Sequence, residues 1–321
     1  MQDGMKRVSF LAAVFFCVTA QAQSWPSKPI RVVLPFGPGG IADITMRTLA
    51  PKLTDGLGQQ VVVENMPGAG GIRAAETVAR AEPDGHTLLL LTNGNAVSQA
   101  LFKSLPYDPV NDFAMISIVG YFSLVIVTNG DSKLKTMKEA IAYAKANPGK
   151  MNIGTITPGG TQHLAGELFR TSAGIDAVVI PHKTTGEVIA AVRSGNVDLG
   201  VDFIAPLLPQ VKSGALRALG VSAGERFPGM PDVPTAIESG VAGYDVTSWN
   251  ALAAPAKTPV AVINRIHQEL VKALAQPDVQ KRFEELGVDG RPSTPAELRA
   301  FFASESARWS KVVESAKIPK Q

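Results

Sequence analysis

Cysteine is almost missing from this chain: Cys17 is the single one in 321 residues. That excludes a disulfide scaffold and any cysteine-rich metal site. Charge is also sparse, 18% Asp, Glu, Lys and Arg against about 25% in typical soluble domains. No like-charge run occurs, which excludes an acidic tail or a disordered chain. The 31 basic and 28 acidic residues nearly cancel, to +3, and are scattered. No basic stripe is therefore offered to nucleic acid, and none is expected as a partner. The four histidines, at 86, 163, 182 and 267, show no H-E-x-x-H or related metal spacing. Neither a Walker lysine nor G-x-G-x-x-G with its downstream acid is present. No metal and no cofactor is expected.

Long apolar runs are missing too. The longest early one, Val8 to Val18, follows Lys6 and Arg7 and precedes Ala20-Gln21-Ala22. It is too short for a hydrocarbon core that needs about 20 residues. A basic start, a short apolar run and a small-x-small site read as a cleaved export signal over residues 1–22, cut after Ala22. A membrane anchor and a lipid anchor on Cys17 are the alternatives. Phe15 and Phe16 stand where a lipoprotein signal wants small residues. The product is expected to be soluble and, in a bacterium, periplasmic.

What the chain has in plenty is Gly and Pro, 30 and 23 residues. They punctuate short β-branched runs that alternate with helical patterns, an α/β signature. Strands are expected at 30–35, 60–64, 86–92, 124–128, 151–155, 178–181, 197–202 and 215–221. Helices are expected at 42–57, 72–81, 137–146, 260–276 and 295–314.

One echo stands out. Residues 38–49 read PGGIADITMRTL and residues 158–169 read PGGTQHLAGELF. Each follows an apolar strand and opens a helix. Either two Pro-Gly-Gly turns recur by chance, or two similar α/β units present glycine loops and helix starts to one cleft. A helix start carries unpaired N–H groups and partial positive charge. A glycine loop lets a ligand approach those donors, which suits phosphate or carboxylate. Gly39, Gly40 and Ile41 supply donors on one side, and Gly160, Thr161 and Gln162 on the other. Asp43 reads as a first-turn capping residue, since its charge repels an anion. His163 has three readings: ligand donor, helix-start polar residue or packed core residue.

Gly220-Val221-Ser222-Ala223-Gly224 matches the G-x-S-x-G nucleophile elbow, which raises an exported serine hydrolase using Ser222 as an alternative. That elbow needs a helix after the serine. Residues 225–234 hold three prolines and cannot form it.

The stretches WPSKPIRVVLPFGPGGIADITMRTLAPKL, VVVENMPGAGG, EPDGHTLLL, LPYDPVNDFAMIS, HLAGELF, VRSGNVDLGVD, MPDVPTAIESG and SWNALAAPAKTP run in order from residue 25 to about 260. In combination they resemble the tripartite tricarboxylate transporter substrate-binding proteins, the Bug receptors. The resemblance implies a two-lobed α/β fold of the type II periplasmic-binding class, with two crossing strands and a C-terminal helical segment. It divides the chain into lobe 1, residues 25–125 plus 246–321, and lobe 2, residues 126–245. It also implies a non-enzymatic, monomeric receptor that closes by hinge motion on a small carboxylate and hands it to membrane permease subunits. A periplasmic sensor for a signalling system is the alternative on the same fold. By matching motif, the ligand contacts carried over are Phe36, Gly37, Pro38, Gly39, Gly40 and Ile41, with Asp43 close by. In lobe 2 they are Thr157, Gly159, Gly160, Thr161, Gln162 and His163, then Lys183 and Thr184, then Asp202, beside which Phe203 is added as a lining residue. Many relatives have Gly or Ala where this chain has Lys183-Thr184-Thr185, and Thr157, Thr161 and Gln162 are also unusual. Phe36 and Phe203 would suit an aromatic-tolerant pocket, and Lys183 a distal carboxylate. Aromatic dicarboxylates such as terephthalate therefore stand beside aliphatic di- and tricarboxylates.

Overall fold

The structure is a computed structural model that describes residues 25–156, 158, 160–316 and 318–320. The leader expected over residues 1–22 lies outside them, as do Thr157 and Gly159.

Two strand–helix–strand units open the described chain. Strands β1 (Ile30–Leu34), β2 (Val61–Asn65) and β3 (Thr87–Thr92) are parallel, with β1 central. Helices α1 (Ile41–Leu57) and α2 (Ile72–Ala79) make the connections. Successive residues of β1 point to opposite faces, and both faces are covered. Val32 and Leu34 join Met46 and Leu49 of α1 in one cluster, while Val33 joins Ala74 and Val78 of α2 in another. A strand buried on both sides reads as a continuous apolar run, which is why these strands were legible as short runs of Val and Leu.

Helix α3 (Asn93–Leu101) leads to β4 (Phe113–Asn129), a 17-residue strand on which the architecture turns. Its first part pairs antiparallel with β9 (Thr247–Pro255). Its last part, from Leu124, pairs antiparallel with β7 (Leu199–Phe203) and β8 (Leu216–Val221). The strand order is β2-β1-β3-β9-β4-β7-β5-β6, where β5 is Met151–Ile156 and β6 is Ala177–His182. One half of this order repeats the other in design: β6, β5 and β7 are parallel, as β2, β1 and β3 are. In the second half Leu124 and Ile126 face a cluster with Leu164 and Phe169, while Val125 and Val127 face Val188 and Leu207. The helices there are α4 (Met137–Ala146), α5 (Thr161–Ser172), α6 (Thr185–Ser194) and α7 (Ile204–Lys212).

After β9 come α8 (Val260–Leu274), α9 (Pro277–Glu285), the two-residue β10 (Val288–Asp289) and α10 (Pro295–Ser315). Helix α10 serves both halves. Leu298 and Phe302 pack with Trp249 in a first-half cluster, whereas Trp309, Val312 and Val313 pack with Leu164, Phe169 and Tyr244 of the second. Buried Glu305 sits between, one carboxylate oxygen accepting from the indole N–H of Trp249 at 3.1 Å and of Trp309 at 3.0 Å. Each fully buried large apolar side chain contributes about 1.5–3 kcal/mol, so both ends of α10 are held firmly.

The sequence expectation fell short in places. It saw only residues 124–128 of β4 and did not see β9, α3, α6, α7 or α9. The two long strands are buried along most of both faces and so lack the regular alternation that marks a half-buried strand. Helix α7 is obscured by Pro206 and Pro209.

Candidate functional site

The two Pro-Gly-Gly loops have nearly the same local geometry. Gly40 precedes α1 with φ −77° and ψ 168°, and Gly160 precedes α5 with φ −72° and ψ 165°. Among the described residues, no side chain caps the first-turn amides of either helix. Elsewhere threonines do this work: Thr136, Thr184 and Thr294 each accept from an amide three residues on. The glycine starts therefore leave N–H groups available at the positive end of a helix.

In the first half the loop is open. Phe36 is 43% exposed, Pro38, Gly39 and Gly40 are exposed, and Gly37 and Ile41 are half-exposed. A Cβ built on Gly37, Gly39 or Gly40 would meet no other atom within 4 Å. Gly39 needs to be glycine for its φ of +83°. Gly40 does not, because its dihedrals suit any residue; the space beside it is what a side chain would fill.

Asp43 fixes this loop. Its Oδ2 accepts from the Gly39 N–H at 3.0 Å, Arg47 Nε lies 3.0 Å from both oxygens, and Asn65 donates to Oδ1 at 2.9 Å. Asn65 also donates to the Phe36 carbonyl at 3.1 Å. Burial pushes the Asp43 carboxyl up, but Arg47, the Gly39 amide and Asn65 outweigh it and hold it below the usual range. Asp43, expected as a first-turn cap, instead reaches back past the helix start to the Gly39 N–H and braces the loop. Asn65 was missed by the sequence reading; it closes β2 beside β1, and no local signal marks it.

In the second half the side chains turn inward. Thr161, the first residue of α5, is buried, and its hydroxyl lies 3.2 Å from Asn93 Nδ2 and 3.1 Å from Ser248 Oγ. Asn93 opens α3 and Ser248 lies in β9, so this cluster ties the α5 start to the first half. Asn95 and Pro35 both lie beside Gly71, which brings the residue after β1 near the start of α3. Gln162 is also buried and donates to Asp202 Oδ1 at 3.0 Å. The Thr161 hydroxyl and the Gln162 amide nitrogen are thus engaged within the protein. His163 is half-buried; burial pushes its imidazole below its ordinary pKa, with Glu167 opposing.

Asp202, expected as a ligand contact, is held within the protein. It has no exposed surface, and its carboxylate accepts from Gln162, from the Phe203 N–H at 2.7 Å and from Thr185 Oγ at 2.7 Å. Thr184 is a helix cap, its hydroxyl accepting from the Glu187 N–H at 3.2 Å, so that oxygen is already engaged. Lys183 is exposed, with its own N–H donating to the Glu187 carboxylate at 2.9 Å. Phe203 is half-buried at the end of β7, its ring 6.0 Å from that of Phe122 in an edge-on contact.

Ser222 is no nucleophile. It is fully buried and sits where three strands meet. Its hydroxyl donates to the Val246 carbonyl at 2.5 Å and accepts from the Leu124 N–H at 2.9 Å, and no helix follows it before β9. Among the described residues no group of three or more His, Cys, Asp or Glu is placed to hold a metal ion. None of the described helices is long and apolar enough to cross a membrane.

The arrangement is two uncapped helix starts at the carboxyl edge of parallel strands, where open α/β sheets place their ligands. Solved proteins share the fold. A Rhodopseudomonas palustris protein determined with adipate has a TM-score of 0.85 at 28% identity, covering 92% of this chain and 100% of its own. MatC from the same organism, with bound malate, has 0.80 at 32%, covering 90% and 100%. By sequence the chain is 35% identical to protein BugT of Bordetella pertussis over 306 residues, 95% of this chain and 94% of that one. These neighbours bear out the expected two-lobed α/β binding-protein fold, and their family is one of receptors, not enzymes. The model of the tripartite tricarboxylate transporter family receptor matches residues 45–318, and the chain belongs to that family of periplasmic solute-binding receptors.

Proposed function

We propose that this protein captures a small carboxylate between the Gly37–Ile41 loop and the α5 start, and delivers it to the membrane permease subunits of a tripartite tricarboxylate transporter. One observation carries the reading: the matched, uncapped glycine starts of α1 and α5, with the space beside Gly40 open. Backbone N–H groups at helix starts bind a carboxylate without a paired cation, by geometry and partial charge. The adipate and malate held by the two similar structures support a dicarboxylate as ligand. Exposed Phe36 supports tolerance of an aromatic ligand such as terephthalate. Exposed Lys183, close in sequence to the α6 start, is proposed to favour a second carboxylate.

The lobes are residues 25–125 with 246–321, and 126–245. Closure bends the chain near Leu124 and Val246, where β4 and the segment entering β9 pass between halves, and the ligand selects the closed state by binding it better. The last turns of α10 lean on lobe 2 and limit that motion. The protein acts in the periplasm as a monomer after loss of residues 1–22.

The test is a melting-temperature series on residues 23–321 with adipate, malate, citrate, terephthalate and acetate. A binder at about 100 times its Kd raises stability by about 2.7 kcal/mol, a shift of several degrees. No response to any of them discards the reading. Native mass spectrometry of the freshly purified protein identifies any ligand carried through purification.

A further inference from the structure

A carboxylate buried among neutral donors is costly, because water solvates the charge far better. Burial accordingly raises the Asp202 carboxyl above the usual aspartate range, against Thr185, Gln162 and the Phe203 amide. An asparagine or an apolar residue would fill the same space at less cost. The three donors, though, come from three different loops. Gln162 is the second residue of α5 and follows β5; Thr185 is the first of α6 and follows β6; Phe203 ends β7. One side chain joins all three strand-to-helix turns at the same edge of the parallel sheet.

We propose that Asp202 is the positioning residue of the second half of the carboxylate site: without touching the solute, it clamps the starts of α5 and α6 to β7 and so fixes the direction of their first-turn N–H groups. The proposal rests on the carboxylate-binding reading above for its consequence, but the clamp itself is separately observable. Gln162 and Thr185 serve it by turning their side chains to the carboxylate. Donors fixed in advance bind without the cost of ordering a loop.

The experiment is hydrogen exchange on the ligand-free chain, for wild type, Asp202→Ala and Asp202→Asn, followed by titration with adipate and malate. Asparagine keeps an acceptor for Gln162 and Phe203 and can donate to Thr185, so it preserves the clamp without the charge. In Asp202→Ala, exchange should accelerate in peptides covering both 160–166 and 185–190 while 41–46 stays as in wild type. Affinity should fall at least about tenfold, and asparagine should restore it to within about threefold. Unchanged exchange at both helix starts in Asp202→Ala overturns the clamp. Equal affinity losses for alanine and asparagine overturn the positioning role, since the charge itself would then be needed. Where Asp202→Ala does not fold, Gln162→Leu and Thr185→Val take its place: each should loosen one helix start alone, and no loosening in either refutes the proposal. A wild-type chain that binds no carboxylate defeats the functional reading, while the exchange pattern still decides whether Asp202 holds both helices.

Discussion

Gly40→Ala separates ligand binding from folding more cleanly than any other single change in this molecule. The backbone there, φ −77° and ψ 168°, is ordinary extended chain for alanine, and the new Cβ would meet no protein atom within 4 Å. Two small effects on stability oppose each other. Alanine is a poorer helix N-cap than glycine, by up to about 1 kcal/mol; it also restricts the unfolded chain, a gain of about 0.4–1 kcal/mol. The ligand-free melting temperature should therefore move by no more than a few degrees. The methyl group would enter the open space beside the α1 start, where the carboxylate is proposed to sit. Losing one amide–carboxylate hydrogen bond costs about 1.5–3 kcal/mol, or about 10- to 150-fold in Kd. Isothermal titration of the best dicarboxylate from the panel, run beside the melting curve, reads both quantities. An affinity within about twofold of wild type would refute the placement of the ligand at this helix start. Gly160→Ala, with its matching dihedrals, should behave the same way if the two halves grip one ligand together.

Ser222→Ala removes the acceptor of Leu124 N–H and the donor to the Val246 carbonyl; urea unfolding should show a loss of about 1–3 kcal/mol, and a loss of ester hydrolysis instead would revive the serine-hydrolase alternative. Glu305→Ala strips both indoles of their shared acceptor; a destabilisation of about 2 kcal/mol or more, with a shift in tryptophan emission, is expected, and an unchanged spectrum would contradict the buried bridge. The raised Asp202 carboxyl has a definite sign in the pH profile. Its contribution to stability is complete below the unfolded aspartate pKa and is lost as pH rises through the folded value. The stability of Asp202→Asn minus that of wild type should therefore be more positive at about pH 7 than at about pH 4.5; equal differences would show that Asp202 does not titrate differently on folding.

Much of this protein was legible in the sequence by itself. The paired Pro-Gly-Gly turns, the strands that precede them and the helices that follow were set by local rules: glycine for an unusual turn or close approach, β-branched residues for buried strands, helical periodicity afterwards. What only the tertiary structure decided is which polar atoms face one another. Asp202 and Gln162 are 40 residues apart, Asn93 and Thr161 are 68, and Leu124 and Ser222 are 98. A buried polar group must find a partner, but its own neighbourhood in the chain does not say which. The sequence could therefore mark Asp202 and Ser222 as candidates for chemistry. Folding made one a brace beneath the helix starts and the other a stitch between strands, because burial leaves a polar side chain nothing but its hydrogen-bond partners.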